Sequence, residues 1–484
     1  MNIDVNFKQI FATRTFSQQD QQRFAAISGD VNPMHMDAIA ARRLIAGRQV
    51  VHGVHALLAG LEQWSGAAGA VPGKITCDFV NPICVGDRVD YVASAGISTW
   101  CAMVGEMACC HVNVVPGTAT PGPRDEPAPE PLAVLEQLDQ PLALSPAKYA
   151  GRRDAVPLPS ISVADEFPRL TAWLGQRRVA AVTLLSYYVG MVCPGMDSVF
   201  ASLSLGLRDD DSAPTLSFYV RRYDPRYRVF VIAFDGCIRG EIKAFLRAKP
   251  QVQPPMSVLL GLVQTGEFVG TNAWVIGGSR GLGEVTAKLI AAGGGDVTIT
   301  YATGADDAAG VVDAINAAGH GRAKTRRLDL LADPLLEWVK GDDRPDAVFY
   351  FATPRIFRKK ATIFDAALLG EFLTIYVDKL NALCVALRSL ESKTPIRVFH
   401  PSTVFLNERP KGMTEYAMAK AAAEILVQDL NASSCTVQLD SQRLPRLATD
   451  QTATVFTDNA QQNEDTMLPI IRRLLERRES ACGS

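Results

Sequence analysis

The sequence predicts a multidomain chain, α+β over its front half and α/β with a doubly wound parallel sheet over its back. Three observations carry that prediction. Two long apolar stretches of helical character, 54–64 and 176–191, are each followed by strand-rich sequence. From Asn272 onward strand and helix patterns alternate, which implies a parallel sheet with helices on both faces. Proline-rich segments at 116–131 and 250–255 separate these parts. A chain of 484 residues is too long for one core and suggests three domains. The expected divisions are a first domain over 1–115, a linker over 116–149, a second domain over 150–256 and a third over 268–484.

An extended piece at 11–16 opens the first domain. Ser17 follows, and its Ser-x-x-Asp spacing to Asp20 is a capping signal for a short helix reaching Ala26. Next comes Ser28-Gly29-Asp30-Val31-Asn32-Pro33-Met34-His35-Met36-Asp37, with an acid five residues before a histidine. Asn32-Pro33 lies between them, and a residue before proline is pushed out of the α region. The segment therefore reads as a rigid turn that aims both side chains into one pocket. Val51-His52-Gly53-Val54-His55 then starts the buried helix. Its first amides, from Gly53 on, are unpaired donors at the positive end of the helix dipole. A carboxylate, an imidazole and a helix N-terminus together suit an acyl thioester: the amide polarises the carbonyl, while acid and histidine move a proton and a water. Strands are expected at 74–82, 87–98 and 100–115.

From Phe16 through the segments 75–82 and 86–89, this stretch resembles the MaoC-type (R)-specific enoyl-CoA hydratases. Their fold is the hot dog, a curled antiparallel sheet wrapped around one long helix. The resemblance implies that Asp30 and His35 are the catalytic pair and that the Gly53 amide holds the thioester oxygen. His52 and His55 read as packed histidines, with a hydrogen bond behind the site open to one of them.

Six prolines between Pro116 and Pro131 cannot build a sheet or helix interior, and the run reads as an extended linker. The second domain repeats the pattern of the first. A buried helix at 176–191 ends at Cys193-Pro194-Gly195, and strands follow at 200–207, 216–223 and in one long run, 229–248. It contains no histidine and so no second acid–imidazole pair. The stretch 188–195, followed by Ser198, resembles the second halves of tandem hot-dog hydratases. Two compatible readings follow: this half supplies the acyl tunnel and part of the site wall, or it only completes the sheet.

In the third domain a buried strand, Ala273-Trp274-Val275-Ile276, runs into Gly277-Gly278-Ser279-Arg280-Gly281-Leu282-Gly283 and a helix through Ile290. Such a glycine turn lets backbone approach a pyrophosphate over a helix N-terminus. Further strands read at 297–301, 325–328, 347–351, 396–400 and 437–442. The whole domain resembles the short-chain dehydrogenase/reductases, a Rossmann-type family. Gly277-x3-Gly281-x-Gly283 fits its glycine pattern, and Tyr416-Ala417-Met418-Ala419-Lys420 fits its Tyr-x3-Lys signature. The resemblance makes Tyr416 the acid that protonates a carbonyl oxygen. Lys420 lowers the tyrosine's pKa and holds the ribose, and Ser402 or Thr403 orients the carbonyl. The end of the second strand, Tyr301-Ala302-Thr303, has no acid to bond a ribose 2′-hydroxyl, and Arg280 sits where a guanidinium meets a 2′-phosphate. NADPH is therefore expected over NADH. The candidate cofactor contacts are Gly277, Ser279, Arg280, Gly281, Leu282, Gly283, Tyr301, Asp329 and Ala352, together with Tyr416 and Lys420. Two features depart from the family. Its Asn-Asn-Ala-Gly is here Tyr350-Phe351-Ala352-Thr353, and its later asparagine is absent around Tyr376-Val377-Asp378-Lys379.

A net charge of -2 gives no basic field for nucleic acid, and no apolar run approaches a membrane span. The start, Met1-Asn2-Ile3-Asp4-Val5, lacks the pattern of a signal peptide, and ten cysteines are scattered without metal spacing. The expectation is a cytoplasmic protein with reduced thiols, no metal, no nucleic-acid or membrane partner, and a homodimer. The two resemblances together imply a bifunctional enzyme acting on an acyl-CoA or acyl-carrier-protein thioester. It would carry out (R)-specific hydration or dehydration at C2–C3 alongside NADPH-dependent reduction of a 3-oxoacyl thioester. Three other readings stay open: a reductase for another substrate such as a nucleotide-linked sugar, a nucleotide-binding scaffold without hydride transfer, and a hot-dog thioesterase.

Overall fold

The computed structural model describes residues 9–44, 46–65, 71–93, 98–117, 134–145, 148–208, 212–358, 362–390, 394–452 and 461–476. The chain divides into two compact units, Met1–Lys249 and Pro250–Ser484.

The first unit opens with β1 (Gln9–Thr15), α1 (Gln18–Ser28), α2 (Pro33–Met36), α3 (Ala38–Arg42) and α4 (Gly53–Ser65). Four strands follow: β2 (Pro72–Phe79), β3 (Arg88–Ala93), β4 (Thr99–Val104) and β5 (Met107–Pro116). Then come β6 (Arg153–Pro157), α5 (Pro168–Leu174), α6 (Gln176–Tyr187) and a π turn over Tyr188–Val192. Last are β7 (Ser198–Leu207), β8 (Thr215–Asp224), β9 (Val229–Asp235) and β10 (Ile238–Leu246). The strands form one antiparallel sheet in the order β1-β3-β4-β5-β2-β7-β10-β9-β8-β6. Counted within its own half, each set of five is arranged first, third, fourth, fifth, second. The two second strands, β2 and β7, pair across the middle with Ile75 opposite Leu205. One topology is thus used twice and joined edge to edge.

Ser17 and Asp20 form the capping box that starts α1. Helix α4 is buried from Val54 to Glu62, and a Cβ at Gly60 would stand 2.3 Å from the Trp100 ring, so only glycine lets the sheet close on it. Glu62 is buried yet satisfied: its carboxylate accepts the Arg169 and Leu170 amides at 3.0 and 2.7 Å. It therefore caps α5 from the other half, where an acid also meets the positive end of the dipole.

Four expectations need correction here. The run at 100–115 is a hairpin, turned at Gly105 with φ +57. The run at 229–248 is also two strands, broken at Gly236 and Cys237. The second buried helix leaves α geometry at Tyr188, and neither β6 nor α5 was anticipated. The linker's prolines past Pro116 lie outside the described residues, but its tail at 134–145 runs along the second half. There Leu135 donates to the Ala155 carbonyl and Leu142 to that of Met191, both at 2.8 Å.

The second unit contains α7 (Met256–Leu259), β11 (Asn272–Ile276), α8 (Gly281–Ala292), β12 (Asp296–Tyr301), α9 (Ala305–Ala318) and β13 (Arg322–Arg327). It continues with α10 (Leu335–Lys340), β14 (Ala347–Tyr350), α11 (Ala366–Leu373), a second π turn over Thr374–Lys379 and α12 (Leu380–Arg388). It ends with β15 (Ile396–Thr403), α13 (Phe405–Glu408), α14 (Thr414–Ser433), β16 (Val437–Leu444) and α15 (Asn463–Glu476). The sheet is parallel, in the order β13-β12-β11-β14-β15-β16. That 3-2-1-4-5-6 order places a switch point between β11 and β14, where open α/β sheets bind ligands. Along β11 successive side chains alternate. Ala273 and Val275 join the core under α8 and α15, while Trp274 and Ile276 join the one under α10 and α12. Among the described residues no helix is long and apolar enough to cross a membrane. The described cysteines are free thiols, all buried except Cys435.

Candidate active sites

In the first unit Gly29 ends α1 in the left-handed region, φ +78, and swings Asp30 inward. Asn32 then caps α2 through Met34 N at 3.1 Å, with Pro33 at the first helical position. Its Nδ2 reaches the other half and donates to the Gly190 carbonyl at 2.8 Å, with the Gly195 and Met196 carbonyls at 3.3 Å. The turn is thus fixed at both ends, and His35 is carried inward on α2. One carboxylate oxygen of Asp30 and one ring nitrogen each of His35 and His52 lie within 4.8 Å of one another. That is a span one water can bridge.

Asp30 is 1% exposed. Its carboxylate accepts the Ser186 hydroxyl at 2.7 Å and the Asn32 amide at 3.2 Å. Burial raises its pKa from the ordinary carboxylate value, against the opposing pull of His35, Ser186 and the Asn32 amide. The result is a stronger base than a surface aspartate. His35 Nδ1 donates to the Val50 carbonyl at 2.6 Å. That bond fixes the tautomer and leaves Nε2 with its lone pair, while burial holds the ring's pKa down despite Asp30. His52 donates from Nε2 to the Asp30 carbonyl at 3.0 Å and stacks on His35 with centroids 3.9 Å apart. It therefore backs the site. His55 lies flat on Phe24, and burial takes its pKa down to about 3, so it is a packed neutral ring. Gly53 opens α4 as expected, against the Phe79 ring.

The acid and two imidazoles invite a metal reading. Two ring nitrogens are already committed as donors to carbonyls, however, and the rings lie face to face at 25° rather than converging. The arrangement suits proton traffic better than a cation.

Sequence reasoning missed two residues here, both from the second half. Ser186, near the end of α6, bonds Asp30. Gly190 lies in the π turn, where a Cβ would stand 2.4 Å from Asp30 Oδ1. The carboxylate therefore rests on the backbone of the π turn, and the second half forms a wall of this site.

In the second unit Tyr416 and Lys420 lie on α14, one turn apart and buried. Burial pushes the Tyr416 hydroxyl up to about 12 against a downward pull from its hydrogen bond with Thr403, and the lowering expected from Lys420 does not appear. Ser402, the alternative, points elsewhere: it donates to Glu424 at 2.5 Å, and Glu424 is gripped by Arg443 at 2.7 and 2.8 Å. Of the two hydroxyls, Thr403 faces the tyrosine. Lys420 Nζ donates to the Pro401 carbonyl at 2.7 Å, and burial lowers its pKa to about 7.

The glycine turn has the form a pyrophosphate needs. Gly277, at φ +80, packs against the backbone after β14, where a Cβ would meet Ala352 N at 3.1 Å. A Cβ at Gly283 would meet the Gly277 carbonyl at 2.3 Å, whereas one at Gly281 would find only Thr449, at 3.7 Å. The backbone is tight behind the turn and open at the N-terminus of α8, which leaves room there for a dinucleotide's phosphates. Ser279 is buried in the turn, Leu282 is partly buried behind it, and Tyr301 ends β12. Asp329 accepts the Leu331 amide at 3.0 Å in the turn after β13. Arg280 departs from expectation, since its guanidinium pairs with Asp450 at 3.5 Å.

Residues 5–105 match the family model described as MaoC like domain. No curated protein matches the chain. Among solved structures, the FolM alternative dihydrofolate reductase 1 from Brucella suis, in complex with NADP, is similar at 17% identity. The match has a TM-score of 0.38 and covers 44% of this chain and 90% of that one. A 3-oxoacyl (acyl-carrier-protein) reductase from Agrobacterium tumefaciens C58, with NADP bound, matches at 22% identity and TM-score 0.37, covering 43% and 88%. A short chain dehydrogenase from Burkholderia cenocepacia J2315, in complex with NADP, matches at 24% identity and TM-score 0.37, covering 42% and 90%.

Proposed function

We propose that the chain is a bifunctional enzyme of acyl-thioester β-carbon chemistry. Its first unit, read as a tandem hot dog, interconverts a 2-enoyl and an (R)-3-hydroxyacyl thioester. Its second interconverts the 3-hydroxyacyl and 3-oxoacyl forms with NADPH. The observation that carries the first half is that Asp30, His35 and His52, the last standing immediately before α4, each bring one polar atom to within 4.8 Å of the others. The identical strand order of the two halves supports the tandem reading.

In the hydration direction Asp30 takes a proton from the bridging water, and His35 Nε2 orients that water. The hydroxyl oxygen bonds to C3, the C2–C3 π pair moves toward the carbonyl, and the amide of Gly53 stabilises the developing oxyanion. The proton returns to C2, leaving the site's charge unchanged. Dehydration is the same path reversed. Burial raises the pKa of the carboxylate and lowers that of the imidazole, which brings the two closer together and suits this exchange.

In the second unit the residues suit NADPH. When bound it supplies the hydride. Tyr416 delivers a proton to the carbonyl oxygen, Thr403 orients that oxygen, and Lys420 places positive charge beside the tyrosine and the ribose. Arg280 is the candidate for a 2′-phosphate once released from Asp450.

The test is incubation with 3-hydroxybutyryl-CoA of each hand, with and without NADP, followed by mass analysis. Crotonyl-CoA from the (R) form and acetoacetyl-CoA only with NADP are expected. Asp30→Ala and His35→Ala should each lower crotonyl-CoA hydration by at least ~100-fold, the scale of a lost acid–base group. Unchanged hydration in both variants would sink the first half of the reading.

A further inference from the structure

Lys420 brings its amine into the interior of the second unit, where burial lowers its pKa to about 7, and among the described residues no carboxylate pairs with it. The titratable groups around it are Tyr416 and Glu424 on its own helix, His400 on β15 and Tyr376 on the π turn. Glu424 is occupied by Ser402 and Arg443. His400 is buried, and Lys420 helps hold it neutral. The Pro401 carbonyl takes one ammonium hydrogen. Two rings meet the rest of the charge: the face of Tyr376, whose centroid lies 3.8 Å from Nζ, and more distantly that of Tyr416, at 5.9 Å.

Tyr376 is 1% exposed and firmly held. Phe372 stacks on it with planes 5° apart, and its hydroxyl bonds Thr353 Oγ1. Beside it, Tyr350 donates its hydroxyl to the Ile375 carbonyl at 2.8 Å. Two hydroxyl bonds therefore tie the end of β14 to the π turn. The three side chains that make them, Tyr350, Thr353 and Tyr376, lie in the two segments, 350–353 and 376–379, where the sequence departs from the reductase pattern, as Phe351 also does. Taken singly they read as losses, but in the fold they are one connected unit beneath the lysine.

We propose that Tyr376, locked by Thr353 and the Tyr350-pinned π turn, is the positioning residue for Lys420, its ring serving as the counter-group that keeps the ammonium charged and aimed past Tyr416. The proposal rests on the reductase reading of Tyr416 and Lys420, though the ring's effect on the ammonium does not require turnover. A ring quadrupole favours the charged amine. Removing it lets burial, which already depresses this lysine, act further.

The experiment uses the full chain with 13Cε-labelled lysine, the Lys420 resonance being the one that disappears in Lys420→Arg. Its titration midpoint is followed in wild type, Tyr376→Phe and Tyr376→Leu. A fourth variant carries trifluorophenylalanine at position 376, which keeps the phenyl shape and removes most of the quadrupole. Tyr376→Phe should titrate close to wild type. The fluorinated and leucine variants should titrate lower by about half a pH unit or more, the size of a desolvated cation–π contact. The alkaline limb of NADPH oxidation should move down by the same amount, because the charged form is the useful one. Should Tyr376→Leu fail to fold, the fluorinated chain still decides the matter. Coincident midpoints for phenylalanine and its fluorinated analogue overturn the proposal. A shifted midpoint without NADPH oxidation in any variant overturns the reductase reading instead and leaves the positioning role standing.

Discussion

On the proposed reading, a single carboxylate sets function against stability in this chain. Asp30 is wholly enclosed, and burial outweighs the pull of His35 and the bonds from Ser186 and the Asn32 amide, so its folded pKa lies above the ordinary carboxylate value. For a group raised in the folded state, the stabilising contribution is complete below the unfolded pKa and is lost as pH rises through the folded one. Wherever the carboxylate is ionised, the protein therefore holds it at a cost. Asp30→Asn never ionises and avoids that cost. It should abolish hydration yet raise Tm at pH 7, by ~2–4 °C for each kcal/mol recovered, and the advantage should vanish near pH 4. Calorimetry at the two pH values checks this, and a variant less stable at both would show that the carboxylate's bonds outweigh its burial. This acid, with His35 and the lysine–tyrosine pair, was legible in the sequence because spacing and flanking residues carry local conformation. Ser186 was not, since a serine 156 residues from its partner leaves no local trace.

Elements show the same division between local and distant information. The capping box at Ser17, the α4 start at Gly53 and the glycine turn before α8 were readable because each is a short-range pattern. The two hairpins were read as single strands because their turns are tight and their flanks remain apolar, although Asp235-Gly236 was a turn signal available to be used. The least legible elements were the π turns, which have no simple sequence signature. Each inserts one extra residue into a helix at a candidate site: the first lays Gly190 against Asp30, and the second presents Tyr376 to Lys420. Gly190→Ala tests the first. Its Cβ would stand within 2.6 Å of both Asp30 oxygens, so the carboxylate or the turn must shift. Overpacking of this kind costs about 1–3 kcal/mol, and a misplaced base costs far more in rate than in stability. Hydration should fall at least ~100-fold in kcat/KM, with NADPH oxidation by the other unit untouched. Full hydration in Gly190→Ala would mean that the second half only completes the sheet.

At the scale of the whole chain, the cores decide what can be separated. The core of the first unit is built from residues between Phe16 and Ala244, and the cores of the second lie between Met256 and Leu475. The boundary falls at Lys249 and Pro250, in a stretch outside any strand or helix. Each unit thus has the burial of an independent folding domain. Residues 1–249 alone should hydrate crotonyl-CoA at nearly the full rate, and residues 250–484 alone should bind and oxidise NADPH. Neither half of the first unit should survive by itself, because β2 pairs with β7 and Asp30 depends on Ser186 and Gly190. What separation should change is the coupled reaction. On the proposed reading, the intact chain given acetoacetyl-CoA and NADPH should form crotonyl-CoA through a 3-hydroxyacyl intermediate, and a tether raises that intermediate's local concentration only if its transfer outruns its escape. An equimolar mixture of the two pieces at micromolar concentration should then show a lag in crotonyl-CoA absorbance that the intact chain lacks. Equal time courses would mean that the intermediate equilibrates with solvent between steps, and that fusion serves matched production of two independent enzymes.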